Sequence, residues 1–170
     1  PLVSDAAGDV VAGDILGTLT AMAVGADTVV TPVSSNSLIE RTGAFAQVRR
    51  TRIGSPFVIA RIEEVASPTS RPVGFEANGG FLLGFDLVAG GAGLTRLATR
   101  DSFLPIFAPL AMAQARRLTL GGLVATLPAR RTATDRLENV ATHRSQALVR
   151  SLADDPDARA DFLAGFGAQT

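Results

Sequence analysis

Gly74-Phe75-Glu76-Ala77-Asn78-Gly79-Gly80 runs directly into the apolar segment Phe81-Leu82-Leu83-Gly84-Phe85, and this stretch decides how the chain is read. Glycines bracket a carboxylate and a carboxamide two residues apart, with apolar residues on both sides. That is the pattern of a strand, a tight turn and a returning strand. The tip then presents Glu76 and Asn78. A carboxylate only accepts hydrogen bonds, whereas an amide donates and accepts, so the pair suits adjacent sugar hydroxyls. The same residues also suit a plain turn, in which Asn78 and Gly79 serve only because they tolerate positive φ.

Upstream of this turn, strands and helices alternate. Ile15, Leu16, Leu19, Met22 and Ala23 fall on one helical face, with Asp14 as N-cap and Gly25 as stop. Thr28-Val29-Val30-Thr31 is a β-branched strand, and Ser37 with Glu40 has capping-box spacing for a short helix ending at Gly43. A second strand, Ala46 to Arg50, precedes a helix carrying Val58, Ile62, Val65 and Ala66, with Ser55 as N-cap and Pro56 at its first position. Val73 to Glu76 is the third strand, and Phe81 to Phe85 returns antiparallel to it. The order predicts a three-layer α/β/α sandwich with a mixed four-stranded sheet: three parallel strands joined by right-handed crossovers, and one antiparallel edge strand. Ser34 to Asn36, Thr51 to Ser55 and Glu76 to Asn78 then leave the same sheet edge, where open α/β sheets bind ligands.

The flanks are read more coarsely. Leu2 to Val11 is a hairpin, Val88 to Gly93 a flexible loop, and Asp101 to Arg117 a helix in which Pro105 lies in the first turn and Pro109 either kinks it or delays its start. Thr119 to Leu127 is a second short helix. Arg130-Arg131 marks a linker, followed by a strand around Arg136 to Val140, a helix around Ser145 to Ala153, and a weaker segment holding Phe162 and Phe166.

The 170 residues carry 16 Lys and Arg against 16 Asp and Glu, which argues against a nucleic-acid surface. With no cysteine there are no disulfides or thiolate metal sites. No apolar run reaches membrane-span length, so the chain is read as unexported and cytoplasmic, with no membrane partner. His143, the only histidine, lies near no second ligand in sequence. No P-loop, nucleophile elbow or metal-ligand cluster is present, so no catalytic residue and no metal site are assigned.

Four segments taken in order carry a resemblance: Ala12-Gly13-Asp14-Ile15-Leu16-Gly17, Asp27 to Ser35, Arg50-Thr51-Arg52-Ile53-Gly54, and Gly74 to Gly80. From Leu2 to about Val140 the chain resembles the third domain of the α-D-phosphohexomutases, in particular bacterial phosphomannomutase-like members. The resemblance implies an α/β/α sandwich. It also implies an enzyme that moves phosphate between the 1- and 6-positions of a hexose through a phosphoserine and a bisphosphorylated sugar, with Mg2+ and a hexose bisphosphate activator. The family's sugar loop is Gly-Glu-x-Ser-Gly. Glu76 matches its glutamate, Gly79 its final glycine, and Asn78 stands in place of serine, with Phe75 inserted before the glutamate. Arg52 and Ser55 lie in a loop that reaches the substrate in some members. The implied organisation is residues 1–11 as the tail of a metal-binding domain, 12–128 as the third domain and 129–170 as the start of a fourth. On this reading the phosphoserine and metal loops belong to the missing first and second domains and a phosphate-binding loop to the missing remainder of the fourth, and the fragment alone is inactive. Two rivals stand beside it: a non-catalytic sugar-phosphate binding module, and an assembly element using the helix from Asp101 to Arg117.

Overall fold

The computed structural model describes residues 1–89, 91–132 and 138–165. It opens with the expected hairpin, β1 (Val3–Ser4) paired antiparallel with β2 (Val10–Val11). Helix α1 (Gly13–Ala23) follows, capped by Ala12 rather than Asp14, and Gly25 ends it at φ +66°. Strand β3 (Thr28–Pro32) leads to the one-turn helix α2 (Leu38–Arg41), and β4 (Gln47–Thr51) to α3 (Ser55–Val65). Gly54 caps α3 at φ 125°, which moves Ser55 inside the helix; Pro56 is in its first turn. Strands β5 (Pro72–Phe75) and β6 (Phe81–Leu83) flank the turn that holds Glu76.

The sheet has five strands, ordered β4-β3-β5-β6-β9 once β9 (Leu97–Asp101) is added. β3 pairs parallel with both β4 and β5, β5 antiparallel with β6, and β6 antiparallel with β9. The expected edge strand, β6, is therefore interior. The fifth strand escapes a sequence reading because its residues are almost all exposed and show no alternation of apolar and polar. The Val88 to Gly93 segment, expected as a loop, belongs to a small hairpin of β7 (Leu87–Ala89) and β8 (Ala92–Leu94), with Gly91 at φ +84° and Gly90 outside the described residues. Because β9 takes Asp101, α4 starts later than expected, at Leu104–Ala115. It holds Pro105 in its first turn and Pro109 in its interior. Helix α5 is shorter than expected (Leu120–Val124), with Thr119 Oγ1 accepting from Gly122 N at 3.0 Å.

Alternation along the strands sorts side chains onto two faces. Val29, Val73, Phe75, Phe81 and Leu83 face a core that takes in Ala21, Ile39 and Leu104. Val30 and Leu82 face the other way and pack with Val58 and Ile62 of α3. A third cluster joins Leu16 and Leu19 of α1 to Ala113 and Leu123. The rings of Phe75 and Phe81 stack across β5 and β6 with centroids 6.2 Å apart.

The chain forms two compact units, Pro1–Thr132 and Ala133–Thr170. The second contains α6 (Thr142–Asp154) and α7 (Pro156–Ala164), which carries Phe162. The strand expected around Arg136 to Val140 lies partly outside the described residues, as does Phe166. Among the described residues no helix is long and apolar enough to cross a membrane.

Gly74 marks the tightest fit on the α3 face. A Cβ there would stand 2.5 Å from Val58 Cγ1 and 2.7 Å from Ile62 Cδ1. Gly74→Ala should therefore lower stability by about 1–3 kcal/mol through overpacking. A urea midpoint equal to that of the parent chain would contradict this packing.

Candidate functional site

Parallel pairing brings three loops to one sheet edge. Pro32 of β3 is in register with Thr51 of β4, and Val30 with Gly74 of β5, so residues 33–37, 52–54 and 76–80 all leave the carboxyl ends of neighbouring strands.

The loop after β3 is fixed by charged groups. The Arg50 guanidinium donates from Nη1 to the carbonyls of Pro32 (3.0 Å) and Ser35 (2.9 Å), and from Nη2 to the carbonyl of Asn36 (3.2 Å). Its Nε and Nη2 also hold the two Glu40 oxygens at 2.8 Å each, a bidentate pair. Asp14, 3% exposed, accepts from Asn36 N at 2.7 Å and from Ile15 N at 2.9 Å. Thr31 Oγ1 lies 2.6 Å from Ser35 Oγ and 2.8 Å from the Phe75 carbonyl, which joins this loop to the end of β5. Ser37 makes no side-chain cap; Asn36 Oδ1 accepts from Leu38 N instead, at 2.9 Å. The expected capping box fails because Glu40 is taken by Arg50.

The Glu76 turn is closed by its own backbone: Glu76 N donates to Gly80 O at 3.2 Å and Gly79 N to Glu76 O at 2.9 Å, with Gly79 at φ +83°. Asn78 is exposed, and its Oδ1 accepts from Gly80 N at 2.9 Å. The Glu76 side chain is 11% exposed, and its Oε2 stands 3.8 Å from Arg100 Nη1, an ion pair longer than a hydrogen bond. Gly80 leaves room for the Arg100 stem, whose Cδ lies 2.5 Å from where a Cβ would be. A Cβ on Gly13 would collide with the backbone of Ala77 and Gly79, so the start of α1 seats the turn by backbone contact.

Glu76, Asn78 and Gly79 thus share one turn. Arg52 and Ser55 lie beyond the end of β4, two strand spacings or about 10 Å from β5. Arg52 is exposed, its guanidinium carbon 5.8 Å from the centroid of the Phe57 ring, and Ser55 is half-buried in the first turn of α3. A sequence reading misses Arg100, because only the pairing of Phe81 with Asp101 brings it to the turn. It also misses Arg50, which looks like an ordinary strand residue. The edge therefore offers a nearly buried carboxylate, an exposed carboxamide and the exposed guanidinium groups of Arg52 and Arg100, a set suited to hydroxyls and an anion. Among the described residues no group of three or more His, Cys, Asp or Glu is placed to hold a metal ion.

Residues 8–130 match the family described as phosphoglucomutase/phosphomannomutase, α/β/α domain III. The chain belongs to this family. It is similar to a phosphomannomutase of Sinorhizobium fredii, 44% identical over 153 residues that cover 89% of this chain and 32% of that protein. It is also similar to a phosphomannomutase of Salmonella muenchen, 40% identical over 167 residues, 98% of this chain and 34% of the relative. The chain thus spans about a third of the length of these curated relatives. The crystal structure of an N-acetylglucosamine-phosphate mutase in its substrate complex, a member of the α-D-phosphohexomutase superfamily, matches 91% of this chain and 39% of its own with a TM-score of 0.54. At 13% identity, that likeness speaks for the fold alone.

The Arg50–Glu40 clamp gives a pH test. Partial burial pushes the Glu40 carboxyl up, but the hydrogen bonds from Arg50 and from its own backbone, with the guanidinium charge, outweigh this and hold it below its ordinary value. A lowered folded pKa stabilises the fold above the unfolded value of about 4.3, and this contribution is lost as pH falls through the folded value. Glu40→Gln should therefore lower the urea midpoint by more at pH 7 than near pH 3. An equal deficit at both pH values would show that the ionised pair contributes nothing.

Proposed function

We propose that this chain is the sugar-recognition domain of a phosphomannomutase/phosphoglucomutase that interconverts hexose 6-phosphate and hexose 1-phosphate. Glu76 and Asn78 hold ring hydroxyls at the tip of the turn, and Gly79 gives the turn its shape. Arg100, beside Glu76, and Arg52 with Ser55 at the end of β4 attract the phosphate. Residues 12–128 act as the third domain of the enzyme. The phosphoserine, the Mg2+ site and the remaining phosphate contacts come from its other domains, and the reaction passes through a bisphosphorylated sugar that also serves as activator. The enzyme works in the cytoplasm, with which a cysteine-free chain is compatible.

The observation that carries this reading is the Glu76 carboxylate. Its side chain is kept 11% exposed at the carboxyl end of the sheet, with a guanidinium at 3.8 Å, in a chain of the phosphoglucomutase/phosphomannomutase family. A side chain that only shaped a turn would gain nothing from a desolvated charge.

The test is an assay of phosphomannomutase and phosphoglucomutase activity in the full-length protein. Glu76→Gln keeps the shape but loses a charge-assisted hydrogen bond of about 1.5–3 kcal/mol, so kcat/KM should fall roughly 10- to 150-fold. Arg100→Ala should act mainly on KM. Wild-type kcat/KM in a folded Glu76→Gln enzyme would remove the sugar-loop role. Absence of turnover on any hexose phosphate by the parent enzyme would leave a non-catalytic sugar-phosphate binding module.

A further inference from the structure

The first unit ends in Pro128-Ala129-Arg130-Arg131-Thr132, a run outside any helix or ladder and exposed from Ala129 onward. A side chain almost a hundred residues earlier in sequence reaches it: Asn36 Nδ2 donates to the Arg130 carbonyl at 3.1 Å.

Asn36 has little freedom to do otherwise. It is 7% exposed, its backbone N donates to Asp14 Oδ2 at 2.7 Å, and its carbonyl accepts from Arg50 Nη2 at 3.2 Å. Its Oδ1 is committed to Leu38 N at 2.9 Å. With one end of a planar carboxamide fixed by α2, the other end is aimed, and the group it meets is the carbonyl of Arg130. The same residue thus belongs to the loop at the end of β3 and to the point where the chain leaves the unit.

We propose that Asn36 is a latch that couples the conformation of the 33–37 loop to the release of the exit segment at Arg130 to Thr132. Displacing the loop withdraws the donor, and the exit segment then loses a partner for its backbone. A residue that merely capped α2 would need only Oδ1, and the contact at Arg130 would be incidental.

Serine separates the two roles. In Asn36→Ser the hydroxyl can still accept from Leu38 N, but it is too short to reach Arg130. Arg130 and Arg131 are exposed, and trypsin must draw their backbone away from Asn36 into its cleft, so losing that hydrogen bond should raise cleavage there on the order of three- to tenfold. Cleavage after Arg52, in the loop at the end of β4, should keep its parent rate. In the parent chain an NMR measurement should show slowly exchanging Asn36 side-chain amide protons with a through-bond coupling to the Arg130 carbonyl. Unchanged cleavage at Arg130 and Arg131 in a folded variant would overturn the latch. If the variant unfolds, freely exchanging Asn36 amide protons in the parent would overturn it.

Discussion

The pairing of β3 with a parallel neighbour on each side is the constraint from which the rest follows. Val30 stands opposite Arg49 on one side and Gly74 on the other, so three strands end together and three loops are delivered to one edge. Side chains from neighbouring elements help to hold them. Arg50 reaches from β4 to the carbonyls of residues 32, 35 and 36, Asp14 reaches from α1 to Asn36, and Thr31 reaches the end of β5. Each is a polar group set against a neighbour's backbone, and together they fix the 33–37 loop and tie it to the end of β5. Pre-set groups lose less entropy on binding.

Charge at this edge is divided between fixing the loops and facing outward. Arg50 and Glu40 neutralise one another and shape the loop, whereas Arg52 and Arg100 remain exposed. Glu76 is nearly buried beside Arg100, which limits the cost of desolvating its carboxylate while leaving the ion pair long enough to be exchanged for contacts to a ligand.

Much of this was legible in sequence, for identifiable reasons. The alternation of Thr28-Val29-Val30-Thr31 and Val73-Gly74-Phe75 with helical periodicity between them predicts parallel strands, because apolar period and glycine position are local signals. The Glu76 turn is legible because a tight turn needs Gly79 at positive φ. β9 is not: Leu97 to Asp101 lacks alternation, and its place depends on pairing with Phe81 and Leu83. Arg100 is lost with it. The caps expected at Asp14, Ser37 and Ser55 fail in a common way. Local spacing names the residue that can cap, but Asp14 is drawn to Asn36, Asn36 displaces Ser37, and Gly54 adopts a φ that puts Ser55 inside α3.

The central claim, that the loops at the carboxyl ends of β3, β4 and β5 form a hexose phosphate site, is tested most directly by adding mannose 6-phosphate to the isotope-labelled chain and following its amide resonances. A site at this edge should give shifts gathered at residues 33–37, 52–55 and 76–80 and at Arg100, weakened by Glu76→Gln. Shifts gathered at α3 and β9, away from those loops, or no shifts at millimolar ligand, would contradict it.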